Sequence, residues 1–175
     1  DQVLKHAATQ GLDPDWVYSV IRQESAFMPA AKSPVGALGI MQIMPGTAKL
    51  LSRSMRIPTP NQQQLLDPSR NIQMGTYFLK QLSDQFDGNI VLATAAYNAG
   101  PGRARAWQPE MKAVSGDIWI ETIPFKETRD YVKNIVTYQA IYRHLLGRDV
   151  TLSRSVAAIP PKFEPGAFNS ETAAR

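Results

Sequence analysis

The sequence contains no cysteine. That excludes a thiol nucleophile, a Cys-ligated metal centre and thiol redox chemistry, though it says little about compartment, because a domain of this size needs no disulfide staples. Imidazole is nearly as scarce, with His6 and His144 alone, and these read as surface or helix-packing groups. The acidic residues never approach the alternating spacing of a calcium loop, so no metal and no cofactor is expected. No stretch reaches the ~18 continuous apolar residues of a membrane-spanning helix, so no membrane insertion is expected. No basic start followed by an apolar run marks a signal peptide. The chain opens on Asp1 and not on Met, which suggests a mature form or an excised piece of a larger parent chain with further domains. Runs of one charge are missing too. The formal charge of +4 and pI of about 9.4 come from scattered Lys and Arg, a weak general attraction to polyanions. A nucleic-acid binder would cluster its cations on one helix face; pairs such as Arg103 and Arg105 fall short of that, and no nucleic acid is expected as partner. Internal repeats, heptads and low-complexity blocks are also absent.

What is present suits one domain. The 175 residues are 43% hydrophobic, enough for a full-sized core. Two segments open with an Asp able to cap followed by Pro at the first helical position, Asp13-Pro14 and Asp67-Pro68. From Asp67, the positions Ile72, Gly75, Leu79, Leu82 and Phe86 keep helical period until Asp87-Gly88. An Ala-rich helix is expected from Ile90 to Tyr97, broken by Asn98 to Gly102. After Pro124, Tyr131, Ile135, Tyr138, Ile141, Tyr142 and Leu145 share one side up to Gly147, the best candidate for a central or spanning helix. Shorter helices are expected from Val3 to Thr9, stopping at Gly11, and from Pro45 to Met55. No segment sustains strand alternation between hairpin turns. The fold class is therefore all-α with at most a very small β element, for which Leu38 to Met44 and Asp117 to Ile123 are the candidates. From Val150 onward the helical period is lost, and a Pro-containing extended or disordered tail over 150–175 is expected.

Glu24 breaks a rule of its own helix. Val17, Val20, Ile21 and Glu24 follow the i, i+3, i+4, i+7 spacing of a buried stripe, which points the carboxyl toward the core side. A carboxyl drawn out of water holds its proton to higher pH, the property of a general acid near neutrality; the plainer alternative is a helix-end glutamate at the rim of the core. In Pro34 to Pro45, Gly36 and Gly39 allow positive φ or close backbone approach, and Gln42 sets an amide among apolar neighbours. This suits either the wall of a pocket for a neutral polar ligand or a tight turn. At Tyr97-Asn98-Ala99-Gly100-Pro101-Gly102 a phenol and an amide stand at a helix end, apt for sugar hydroxyls and acetamido groups, or simply a core Tyr and a cap. Glu127 falls in a first helical turn, where the helix dipole favours it.

Together these segments resemble a known family. Arg22-Gln23-Glu24-Ser25-Ala26-Phe27, the run Ser33 to Pro45, Ala96-Tyr97-Asn98-Ala99-Gly100-Pro101-Gly102 and the run Ile123 to Val132 are similar, in order, to four signature blocks of the soluble lytic transglycosylases. The resemblance implies a goose-type lysozyme-like helical domain over residues 1–149 that cleaves peptidoglycan glycan strands between N-acetylmuramic acid and N-acetylglucosamine. It implies Glu24 as the sole catalytic acid and base, the substrate's acetamido group as electrostatic partner, a 1,6-anhydromuramic product and a periplasmic or cell-envelope location. It also implies Ser33, Gln42, Met44, Tyr97, Asn98 and Glu127 as substrate-side residues. Tyr97 is expected to bond near the carboxyl or the acetamido group, and Asn98 to support the turn more than to touch sugar. Phe27 stands where relatives often have Trp. From Ser25 through Asn61 there is no acidic side chain, so no second carboxylate of a two-acid glycosidase stands in the second block. Two other readings share the residues: a goose-type lysozyme-like hydrolase using water, and a glycan-binding module that does not cut.

Overall fold

A computed structural model describes residues 1–150 and 156–162. Among the described residues nine helices follow one another: α1 (Gln2–Gln10), α2 (Pro14–Ser25), α3 (Pro45–Met55), α4 (Gln62–Leu65), α5 (Pro68–Gln85), α6 (Ile90–Ala99), α7 (Pro101–Ala106), α8 (Gly116–Thr122) and α9 (Lys126–Leu145). No strand is present among them. Extended pairing is limited to isolated antiparallel bridges between Lys32 and Leu38, Leu38 and Ile43, and Val114 and Ile159. The all-α class read from the sequence is thus the observed one, and the Leu38–Met44 candidate amounts to two of those bridges. No helix among the described residues is long and apolar enough to cross a membrane.

Local chemistry sets most of the helix ends. Pro occupies the first turn of α2, α3, α5 and α7, where its missing N–H costs nothing. Asp67 caps α5, its side chain accepting from the Arg70 amide at 2.8 Å. Asp13 does not cap α2, against expectation, because a stronger partner competes for its carboxylate: Arg148 Nη1 donates to Asp13 Oδ1 at 2.8 Å, and a charge-assisted bond outweighs a neutral one. The Gly100-Pro101 break does end α6, but two residues later than expected, and Pro101 at once starts α7. Helix α4, which has no apolar period to announce it, is held by a capping box in which Asn61 and Gln64 exchange bonds of 2.9 Å.

Two expectations are overturned in the last third of the chain. The Asp117–Ile123 candidate for β structure is the helix α8. Trp119 and Ile120 are both buried while Ile118 is 59% exposed, a pattern with no two-fold alternation, and Trp119 Nε1 donates to the Trp107 carbonyl at 2.8 Å. On α9 the buried side runs through Thr128, Tyr131, Val132, Ile135, Gln139 and Arg143, leaving Ile141 and Leu145 exposed. Polar partners explain the drift: Gln139 Nε2 and Arg143 Nη1 reach the fully buried Asp15 at 3.1 and 3.4 Å, and Arg148 Nη1 donates to its other oxygen at 2.8 Å.

Accordingly α9 is not the central helix. That place belongs to α6, whose residues Val91 to Ala96 are all buried, with small Ala side chains that admit neighbours closely. It packs against α5, α7 and α9, while α2 lies along α9. Trp16 of α2 fixes the two layers together by donating from Nε1 to Thr94 Oγ1 at 3.0 Å.

Of the expected tail, residues 151–155 and 163–175 lie outside the described residues. The rest is extended but attached to the body. Ile159 and Val114 exchange backbone bonds of 2.8 and 3.1 Å, and the Lys162 amide donates to Pro109 at 2.8 Å. Asn89 and Gln108 side chains donate to the Ala158 and Pro160 carbonyls, and Ile159 is wholly buried. Gly116 makes the fit feasible: a Cβ there would stand 2.4 Å from the Ala157 oxygen.

Candidate active site

Glu24 is the last acidic residue of α2, one position before its end at Ser25. Val17, Val20 and Ile21 below it are wholly buried, so the stripe carries the carboxyl into the body as the spacing predicts. The helix then stops abruptly, with Ala26 at φ 50° and Phe27 at φ 65°, a left-handed pair without glycine that costs backbone energy. Ser25 secures this end by donating from Oγ to the Ile40 carbonyl at 2.8 Å.

The surroundings of Glu24 raise its pKa to about 7, chiefly by burial. Against that, Tyr131 Oη donates to Oε1 at 2.7 Å and favours the ionised form, while the Glu127 charge adds a smaller push upward. A carboxyl balanced at that value can give a proton and take one back near neutrality. Burial and the Glu24 charge, in that order, raise the Tyr97 phenol well above its ordinary range; burial first, and then Glu24, do the same to Tyr131.

The loop from Leu38 to Met44, bonded to the end of α2 through Ser25 and Ile40, is held by α5. Asn71, fully buried in α5, accepts from the Met41 amide at 2.8 Å and donates to the Leu38 and Leu65 carbonyls at 2.9 and 2.8 Å. Gly39 is what permits this approach: at φ 79°, a Cβ would lie 2.3 Å from Asn71 Nδ2. Gln42 takes φ 49° and donates from Nε2 to the Gly39 and Ala31 carbonyls at 2.8 and 3.1 Å. Gln42, Ile43, Met44, Thr47, Phe78 and Tyr97 line a small open hollow.

Gln42, Met44 and Tyr97, expected from the sequence, therefore share this one hollow. Tyr97 bonds differently from the expectation: its hydroxyl donates to the Met41 carbonyl at 2.8 Å, because the loop backbone offers a fixed acceptor, and Tyr131 is the residue that bonds Glu24. Ser33 serves its own turn, accepting from the Ala37 amide at 2.9 Å. Asn98 accepts from Thr128 Oγ1 at 2.7 Å, tying the end of α6 to α9. Glu127 is exposed in the first turn of α9, close enough for its charge to reach Glu24. Neither Glu24, Ser33, Asn98 nor Glu127 lines the hollow; Glu24 is linked to it through Tyr97, whose phenol feels its charge. Sequence reasoning passed over Tyr131, Asn71, Thr47 and Phe78. For Tyr131 the signal was available, since a hydroxyl on a buried stripe needs a partner just as Glu24 does. Among the described residues no group of three or more His, Asp or Glu is placed to hold a metal ion.

Residues 1–120 match the model of the family described as Transglycosylase SLT domain, and residues 122–150 match that of the soluble lytic transglycosylase helical domain. A soluble lytic murein transglycosylase of Salmonella typhimurium is 43% identical over 154 residues, covering 87% of this chain and 24% of the relative. Among solved structures, an inactive glutamate-to-glutamine mutant of the lytic transglycosylase Slt from Pseudomonas aeruginosa superposes with a TM-score of 0.83 at 47% identity, over 89% of this chain and 25% of that one. The 70 kDa soluble lytic transglycosylase of Escherichia coli gives 0.81 at 41% identity, over 87% and 25%. The chain thus spans about a quarter of the length of these relatives, and its body has their lysozyme-like helical fold. A match over 120 residues and 43% identity to a curated relative establish that the chain belongs to the SLT-domain lytic transglycosylase family.

Proposed function

We propose that this domain cleaves the β-1,4 bond between N-acetylmuramic acid and N-acetylglucosamine in peptidoglycan strands without water, leaving 1,6-anhydromuramic ends. The observation that carries the reading is the Glu24 carboxyl, half-buried and poised at about 7. Its protonated form gives the proton to the glycosidic oxygen as the bond from that oxygen to C1 breaks. The substrate's acetamido group supports the positive charge growing at C1. The Glu24 carboxylate then takes the proton of the C6 hydroxyl as O6 bonds C1, which restores the acid and consumes no water. Excluding water serves both the acidity and the outcome. That one solved relative was made inactive by a glutamate-to-glutamine change supports a mechanism resting on one such side chain.

Around this acid, Tyr131 positions the carboxyl, and Gln42, Met44 and Tyr97 form the saccharide wall, with Thr47 and Phe78 beside them. Ser33 and Asn98 shape the turns that hold this wall, and Glu127 borders it. The catalytic body is residues 1–149, acting within a larger envelope protein.

The test is mass spectrometry of peptidoglycan digested by the chain and by Glu24→Gln. Anhydro-muropeptides from the first and essentially none from the second are expected. Reducing-end muropeptides would move the assignment to a hydrolase, and binding without any cleavage by the unaltered chain would leave a glycan-binding module.

A further inference from the structure

From Ser25 through Leu66 the chain holds no Asp and no Glu. The cations of that segment, Lys32, Lys49, Arg53 and Arg56, equal in number the formal net charge of +4 of the whole chain. The remainder is therefore balanced, and the excess belongs to this one segment. The fold gathers three of the four. Helix α3 turns Ala48, Leu51 and Ser52 inward and packs on α5. Lys49, Leu50 and Arg53 are left exposed on its outer face, with Arg56 also exposed one turn further on, at its end. Lys49 and Arg53 stand four positions apart and Leu50 and Arg53 three, the spacings that make neighbours on a helix surface.

Two features set this face apart. Lys80, Lys126, Lys133, Arg143 and Arg148 each have a carboxylate within ion-pair distance, whereas Lys49, Arg53 and Arg56 have none among the described residues. In the midst of these unpaired cations Leu50 is 63% exposed, an apolar side chain where a purely electrostatic surface has no use for one.

Clustered cations without partners attract an extended anion, and salt screens the attraction. The shape of the face decides which anion. Its cations lie in a row on the outside of a helix, a form that meets a surface rather than encloses a single phosphate. A nucleic-acid strand would want rings to stack on, and the one aromatic residue of the segment, Phe27, is engaged with Tyr18 and Tyr142. A flat anionic layer with an apolar interior suits both parts, because its headgroups meet the cations while a Leu among them enters the boundary. We propose that the outer face of α3 is a docking surface for an anionic phospholipid bilayer. The domain lies on the bilayer without crossing it, with Lys49, Arg53 and Arg56 against the headgroups and Leu50 below them. Nothing in this docking depends on the reaction at Glu24.

The test is co-sedimentation of the chain with vesicles of phosphatidylcholine and phosphatidylglycerol, against vesicles of phosphatidylcholine alone. Binding to the first at low salt, lost at high salt, and none to the second is expected. Lys49→Ala combined with Arg53→Ala should lower the partition coefficient about 25-fold, roughly fivefold for each cation. Leu50→Ala should lower it about fivefold, and Leu50→Trp should add an emission that brominated lipids quench. All these positions are exposed, so each variant should keep the melting temperature of the parent, which separates lost binding from lost fold. A partition unmoved by the double substitution, or equal on both kinds of vesicle, overturns the proposal. So does binding that Leu50→Ala leaves unchanged, or Leu50→Trp emission that brominated lipids leave unquenched; either marks a patch for a soluble polyanion or an acidic protein instead.

Discussion

Single residues divide into those whose role follows from their own helix and those whose role depends on a distant partner. Glu24 belongs to the first kind, because its position on a buried stripe was visible in four residues of sequence and is what raises it to about 7. Gly39 is similar, a glycine demanded by φ 79° and by Asn71. Tyr131 belongs to the second: a hydroxyl on a buried stripe calls for a partner, but nothing local to it names Glu24, 107 residues away. The Tyr97 acceptor, the Met41 backbone, is equally remote in sequence. Tyr131→Phe tests the partnership with a definite sign. The lost bond favoured the ionised carboxyl, so the Glu24 pKa rises. Activity that begins with protonated Glu24 falls as pH climbs through that pKa, so the falling limb of the pH profile of kcat/KM should move up, by roughly one pH unit. A limb that stays or moves down would remove Tyr131 from the role.

At the level of elements, boundaries were legible wherever a backbone-special residue marked them. Pro45, Pro68 and Gly11 did so, and α3 and α5 run almost as read. Where packing against remote residues decides, the sequence is mute: its pattern points to β structure where α8 forms, and to Ile141 and Leu145 on the inner side of α9 where buried charge pulls that side to Gln139 and Arg143. The loop carrying Gln42 and Met44 is the element whose shape depends most on one side chain. Asn71→Ala would remove three buried bonds to Met41, Leu38 and Leu65 and leave their backbone groups unpaired. The expected cost is about 3–5 kcal/mol, read as a melting temperature lower by roughly 10 °C or more. A change within two degrees would show that the loop holds itself.

On the scale of the molecule, the body does not end with its last helix. The family models stop at residue 150, and the sequence likewise suggested an appendage beyond it. Yet Ile159 is fully buried and its segment is bonded at Asn89, Gln108, Pro109 and Val114. Contacts with residues far earlier in the chain, at Asn89 and from Gln108 to Val114, give those residues a structure, which is why local patterning missed it. A chain ending at residue 150 should unfold at lower urea than one ending at 162, by about 2–4 kcal/mol in extrapolated stability; equal midpoints would make the segment ornamental. The acid at the centre depends on the body in another way. Its proton affinity comes first from dryness, and a sugar ring settling over it would shed the remaining solvent. If the proposed function holds, arrival of the substrate cocks the trigger: the ionisation governing kcat, which belongs to the loaded enzyme, is expected to lie higher than the one governing kcat/KM, and the gap between them to measure how much water the glycan drives out.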